Sequence, residues 1–161
     1  MEYFLHILIL IGIYLILSVS LNLIAGYTGL ISLAHAAFYG VGAYVAALMG
    51  INLHSPFLVN VVCAVVLSGL LGVLMGIPSL RIRDDYFIIA TFAFQVITFS
   101  VLNNWVSFTS GPMGLPGIPQ PVILGWKISS HGGFLFLVAC FCAVTLWVSR
   151  RIVHSPFGRV L

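Results

Sequence analysis

Charge is what this chain most lacks. Only 6% of its 161 residues are Asp, Glu, Lys or Arg, against 61% hydrophobic, whereas a soluble domain typically carries about 25% charged residues. Too few charges remain to coat a surface in water, so the bilayer becomes the solvent. The acidic residues are Glu2, Asp84 and Asp85; with no carboxylate in mid-span, a proton- or sodium-coupled carrier loses its usual coupling group. The only lysine, Lys127, follows Trp126, so there is no GxxxxGK phosphate loop and no ATP binding by that device. The three cysteines, Cys63, Cys140 and Cys142, lie in apolar runs. Their odd number and the absence of CxxC exclude a disulfide framework and a zinc site, leaving them as small packing residues. No nucleophile–base pair or metal cluster is present, so an enzyme is not expected, nor a cofactor, nor a nucleic-acid partner.

What the chain has is long apolar runs. A hydrocarbon core about 30 Å thick demands about 20 apolar residues of a helix. Residues 3–24 carry no charge, and their clearly polar side chains are His6, Ser18, Ser20 and Asn22. Each central Leu, Ile, Val or Phe favours insertion by about 0.3–0.6 kcal/mol. Residues 56–77 are similar, with Asn60 near the start. Residues 86–108 are longer but hold Thr91, Gln95, Thr98, Ser100, Asn103 and Asn104, and residues 134–148 need Gly132, Gly133 and Ser149 to complete a span. A fifth run, 30–51, is built from small residues and contains His35, which weakens it as a simple crossing. A signal peptide competes for the first run but fits it poorly: Glu2 stands where a basic region belongs, the run is too long, and no A-x-A-like site follows. The expectation is an all-α, polytopic transmembrane helix bundle of about five membrane segments, forming one domain over 1–161.

Positive charges near span ends stay in the cytoplasm. Arg81 and Arg83 precede the third run; Arg150, Arg151 and Arg159 follow the last. Two crossings separate the clusters, so both can be inside and the 109–131 loop outside. Counting back gives an external 52–55 loop, an internal 25–29 turn and an external N-terminus, or an internal one should 30–51 enter and leave on one side. Gly26-Tyr27-Thr28-Gly29 reads as a tight uncharged turn. The segment punctuated by Gly111, Pro112, Gly114, Pro116, Gly117, Pro119 and Pro121 can be neither helix nor central strand. It is either a stiff connector or an element that docks a partner or admits substrate at the external mouth.

Small residues recur four apart at Ser32, Ala36 and Gly40, at Gly42, Ala46 and Gly50, and at Ser68, Gly72 and Gly76. Such stripes let helix backbones approach, within the chain or at a subunit interface or pathway. His35 is an ionisable group in an apolar run, hence a functional candidate or a neutral imidazole satisfied by a neighbouring helix. Gln95, Asn103 and Asn104 could bond a zwitterionic or amide-bearing solute, or equally a facing helix.

Three ordered stretches carry a resemblance: 21–44, Leu21-Asn22-Leu23-Ile24-Ala25-Gly26-Tyr27-Thr28-Gly29 through His35 to Tyr44; Leu80-Arg81-Ile82-Arg83-Asp84-Asp85-Tyr86-Phe87 leading to Thr91-Phe92-Ala93-Phe94; and Leu102-Asn103-Asn104-Trp105 leading through Thr109 to the Gly-Pro loop. Together they resemble bacterial branched-chain amino acid ABC transporter permeases, the LivM type more than the LivH type. Around Gln95-Val96 the match is loose. The resemblance implies a multi-pass inner-membrane subunit that imports leucine, isoleucine or valine by alternating access. It also implies a second homologous permease, two cytoplasmic ATP-binding subunits, a periplasmic amino acid binding protein and surrounding lipid as partners. Relatives carry other neutral amino acids, amides or urea. By the same match, Asn22, Ser32, His35, Gly40 and Gly42 are expected to line the pathway or a subunit interface. Family members continue past Ser155-Pro156-Phe157-Gly158-Arg159 into a coupling segment and further spans. The chain therefore corresponds to an N-terminal portion, a fragment or a truncated product, and these 161 residues by themselves are expected to insert without transporting, as a membrane remnant.

Overall fold

The computed structural model describes residues 2–27, 29, 31–53, 55–79, 84–123, 126–128 and 130–155. Thr28, Arg81, Arg83 and Arg159, on which parts of the turn and charge readings rest, lie outside them. In lipid every backbone polar group must pair within its own segment, so the apolar runs become helices. They are α1 (Glu2–Asn22), α2 (His35–Asn52), α3 (Phe57–Ser79), α4 (Asp84–Asn104), the single turn α5 (Val106–Thr109) and α6 (His131–Val153). Two-residue strands β1 (Val122–Ile123) and β2 (Trp126–Lys127) pair antiparallel, Val122 opposite Lys127 and Ile123 opposite Trp126. Among the described residues four helices are long and apolar enough to cross a bilayer: Glu2–Tyr27, Phe57–Ile77, Tyr86–Asn104 and His131–Val153. The fold is all-α and transmembrane, as expected. The fifth run gives α2, whose 18 residues rise only about 27 Å; begun by His35, ended by Asn52 and rich in glycine, it is not among the four. Large apolar side chains face outward, as Val62, Val65, Leu70, Val73 and Leu74 do on α3. In water such a face would be an interaction or aggregation surface; against lipid tails it is ordinary.

The described chain divides into two compact units, Met1–Ile31 with Ile128–Leu161, and Ser32–Lys127. In the first, α1 packs on α6 at Gly12. A Cβ there would lie 2.5 Å from Val138 Cγ1, and the Cys142 thiol donates to the Gly12 carbonyl at 3.3 Å. The missing side chain lets the two backbones approach. Where Gly26-Tyr27 was expected to open a tight turn, α1 instead runs on as a π-helical turn, Leu23–Tyr27. Gly26 makes room for the bulge, since a methyl there would come within 2.7 Å of Asn22 Oδ1. Ser130 caps α6 by accepting from the Gly133 N–H at 3.2 Å. At the other end Arg150 and Arg151 complement the helix dipole, and Arg151 lies 5.6 Å from the Trp147 ring centroid.

In the second unit α2 packs on both α3 and α4. Gly42 faces α3, where an added Cβ would sit 3.2 Å from Ser68 Oγ, so this part of the small-residue pattern serves close helix packing. Toward α4, the Phe38 and Phe94 rings meet at 5.6 Å between centroids. The buried Thr91 hydroxyl accepts from the Leu33 N–H at 3.2 Å and donates to Ile88 O at 3.0 Å, fixing where the chain enters α2. After α4 the chain reverses through α5, Ser110 at φ 60° and one 3-10 turn, Gly111–Met113. That turn departs from the non-helical expectation for Gly111–Met113. Pro112 falls in its first positions, where the N–H that proline lacks would have no partner anyway.

Candidate functional site

On α4, Gln95, Thr98, Phe99, Leu102 and Asn103 follow the i, i+3, i+4, i+7, i+8 spacing that puts side chains on one helix face. Opposite them α2 presents Ala36, Ala37, Gly40 and Tyr44. Because three of those four α2 residues are tiny, the helices leave a cavity of about 340 Å³ between these faces, with Val96 at its edge. Pockets for small molecules span about 300–1,000 Å³. Its walls are mostly apolar. The polar groups on it are the carboxamides of Gln95 and Asn103, the Thr98 hydroxyl and the Tyr44 phenol, and among the described residues no Asp, Glu, Lys or Arg lines it. Such a lining can hold an aliphatic side chain against Phe99 and Leu102 while hydrogen-bonding an amide or zwitterionic head group.

The end of the cavity near Leu102 and Asn103 is fixed by the following loop. Thr109, only 2% exposed, places its hydroxyl 2.6 Å from Leu102 O and 2.8 Å from Trp105 O, and accepts from the Gly111 N–H at 3.3 Å. Gly111 is buried at φ 58°, and a Cβ there would fall 2.9 Å from Asn103 O. Gly114 and Gly117 also have positive φ, 70° and 78°, a region that L side chains rarely occupy. Pro112 and Pro116 are exposed. The loop also touches the helix ends: Pro119 Cγ lies 3.3 Å from where a Gly50 Cβ would be, and Asn60 Nδ2 3.4 Å from the same point. Asn60 is buried and bonded to Ser55, whose hydroxyl also lies 3.2 Å from Met49 O.

Of the five pathway candidates, Gly40 lines the cavity. Ser32 and His35 are half-buried, just before α2 and at its first residue, while Gly42 turns to α3. Asn22 belongs to the other unit, beside Gly26. Gln95 and Asn103 reach the cavity, but Asn104 bonds within its own helix, donating to Ser100 O at 2.8 Å and lying 3.2 Å from Ser100 Oγ. Tyr44, Thr98, Phe99 and Leu102 were not singled out from sequence. The helical spacing around Gln95 is the signal that could have found the last three.

Fold and cavity together define a polytopic α-helical membrane protein with a solute-sized, uncharged groove. The family described as "Branched-chain amino acid transport system / permease component" matches residues 3–161, and the chain belongs to it. It is 34% identical, over 91% of its length, to the high-affinity branched-chain amino acid transport system permease protein LivM of Salmonella typhimurium and equally to that of Escherichia coli, covering 40% of each. To the probable branched-chain amino acid transport permease protein LivM of Methanocaldococcus jannaschii it is 24% identical over 96% of its length, covering 54% of that protein. The chain thus spans about two fifths to one half of the curated relatives it matches. No solved structure matches it.

Proposed function

We propose that the chain is part of a permease subunit of an ATP-binding cassette importer for branched-chain amino acids, a multi-pass protein of the bacterial inner membrane. The observation that carries this reading is the α2–α4 cavity in a member of this permease family: apolar walls suit an isobutyl or isopropyl side chain, and neutral carboxamides suit a zwitterion that enters without net charge. Gly40 is assigned to the pathway wall, and Asn22, Ser32, His35 and Gly42 to the wider pathway or a subunit interface. The partners that fit are a second homologous permease, two cytoplasmic ATP-binding subunits and a periplasmic amino acid binding protein. ATP-driven closure of the cytoplasmic subunits would then move the permease pair between access states. The segment carrying Gly111, Pro112, Gly114, Pro116 and Gly117 is assigned to the external side, where its fixed shape suits docking or solute admission.

Uptake of radiolabelled leucine into membrane vesicles bearing the complete transporter tests the reading. Accumulation should require ATP and the binding protein, be competed by isoleucine and valine, and survive collapse of the proton gradient. Uptake driven by the proton gradient without ATP would contradict it.

A further inference from the structure

We propose that Gly40 sets the largest solute side chain that the α2–α4 cavity admits. This inference rests on the transport reading above and concerns the selectivity of the same site. Gln95 and Asn103, the polar groups toward the two ends of the α4 wall, are eight residues apart, or about 12 Å along the helix axis. Between them the wall is formed by Thr98, whose hydroxyl is polar, and by the apolar Phe99 and Leu102, and Gly40 faces Leu102 from α2. A Cβ at Gly40 would stand 3.6 Å from Leu102 Cδ1, and among the described residues no other atom beyond its own stretch of helix comes within 4 Å. That is ordinary van der Waals contact. A methyl group would therefore bridge the gap without forcing the helices apart, and its absence is what keeps the middle of the cavity open.

The neighbouring glycine shows the contrast. At Gly42 an added Cβ would press on Ser68 Oγ at 3.2 Å, which is a packing role, whereas Gly40 borders empty space. Glycine is a poorer helix former than alanine because it loses more backbone freedom on folding, so helix stability gives no reason for a glycine at position 40. Space does. The solutes selected are neutral or zwitterionic, with an aliphatic side chain up to the bulk of leucine lying between Gly40 and Leu102.

The test uses the complete transporter in membrane vesicles with saturating binding protein, comparing initial ATP-driven uptake of leucine and of the smaller valine. In Gly40→Ala the leucine-to-valine ratio should fall about tenfold, the effect expected of one methyl group's worth of space in an apolar pocket. Gly40→Ala/Leu102→Ala should bring the ratio back, and Gly69→Ala, which adds a methyl where none of the described residues outside its own helix stretch comes within 4 Å, should leave it unchanged. Immunoblotting of the membranes should give equal abundance for all forms, since alanine favours the helix. An unchanged ratio in Gly40→Ala, or no recovery in the double variant, would overturn the inference while leaving the transport reading intact. If the unaltered transporter carried neither amino acid, the transport reading would fall and the inference with it.

Discussion

Thr109 shows how one hydroxyl organises the chain reversal beside the cavity. Its proton is shared between Leu102 O, one of the last carbonyls of α4, which a terminating helix leaves without intrahelical partners, and Trp105 O, which also takes the Phe108 and Thr109 N–H groups, and its oxygen takes the Gly111 N–H. Thr109→Val keeps the shape but removes all three bonds, at a cost of about 1–3 kcal/mol for the buried groups left unpaired. Thermal unfolding in detergent should shift to lower temperature, and limited proteolysis should cut faster within residues 111–121; unchanged melting and cleavage would show that the bonds contribute nothing. The glycines and prolines of this loop were legible as a rigid turn because only a few residue types tolerate such backbone angles. Thr109 was not, because a threonine ending an apolar run has no partner until the chain folds back on it.

Between elements, Gly12 governs how α1 meets α6. Gly12→Ala would drive a methyl to within 2.5 Å of Val138 Cγ1, and a β-branched side chain has little rotamer freedom with which to yield. Combined with Val138→Ala, the substitution should be far better tolerated, giving a coupling of about 0.5–3 kcal/mol in a double-mutant cycle of thermal stability. Strictly additive losses would argue against the close approach. The four helices long and apolar enough to cross a bilayer were readable from length and hydropathy alone, since lipid admits few alternatives to a helix. The weakness of the 30–51 run as a span was readable too, from His35 and the glycines. The π-helical turn at Leu23–Tyr27 was not, because Gly26 reads as a turn residue until the room it leaves for Asn22 is seen. The cavity lay half in view: Gln95, Asn103 and Gly40 stood out singly, but a gap arises only when the small face of α2 is set opposite the stripe on α4, and that pairing is tertiary information.

For the whole molecule, orientation is the property most exposed to test. Met113 is 92% exposed on the Gly-Pro loop, and His154 is exposed just after α6, beside Arg150 and Arg151. With Cys63, Cys140 and Cys142 replaced by alanine, Met113→Cys should react with an impermeant thiol reagent from the periplasm. His154→Cys should react only from the cytoplasm, as the retention of positive charge inside requires. Labelling of both from one side would refute a single crossing by α6.

The account stands or falls on solute passing between α2 and α4. Thr98 lines that cavity, whereas Ile97, the preceding residue, is exposed on another face of α4. In the complete transporter, the rate of modification of Thr98→Cys by a small membrane-permeant maleimide, compared with that of Ile97→Cys, reports whether the groove is occupied. Leucine should slow labelling at position 98 and leave position 97 unchanged; labelling at both positions indifferent to leucine would contradict a solute pathway through this cavity.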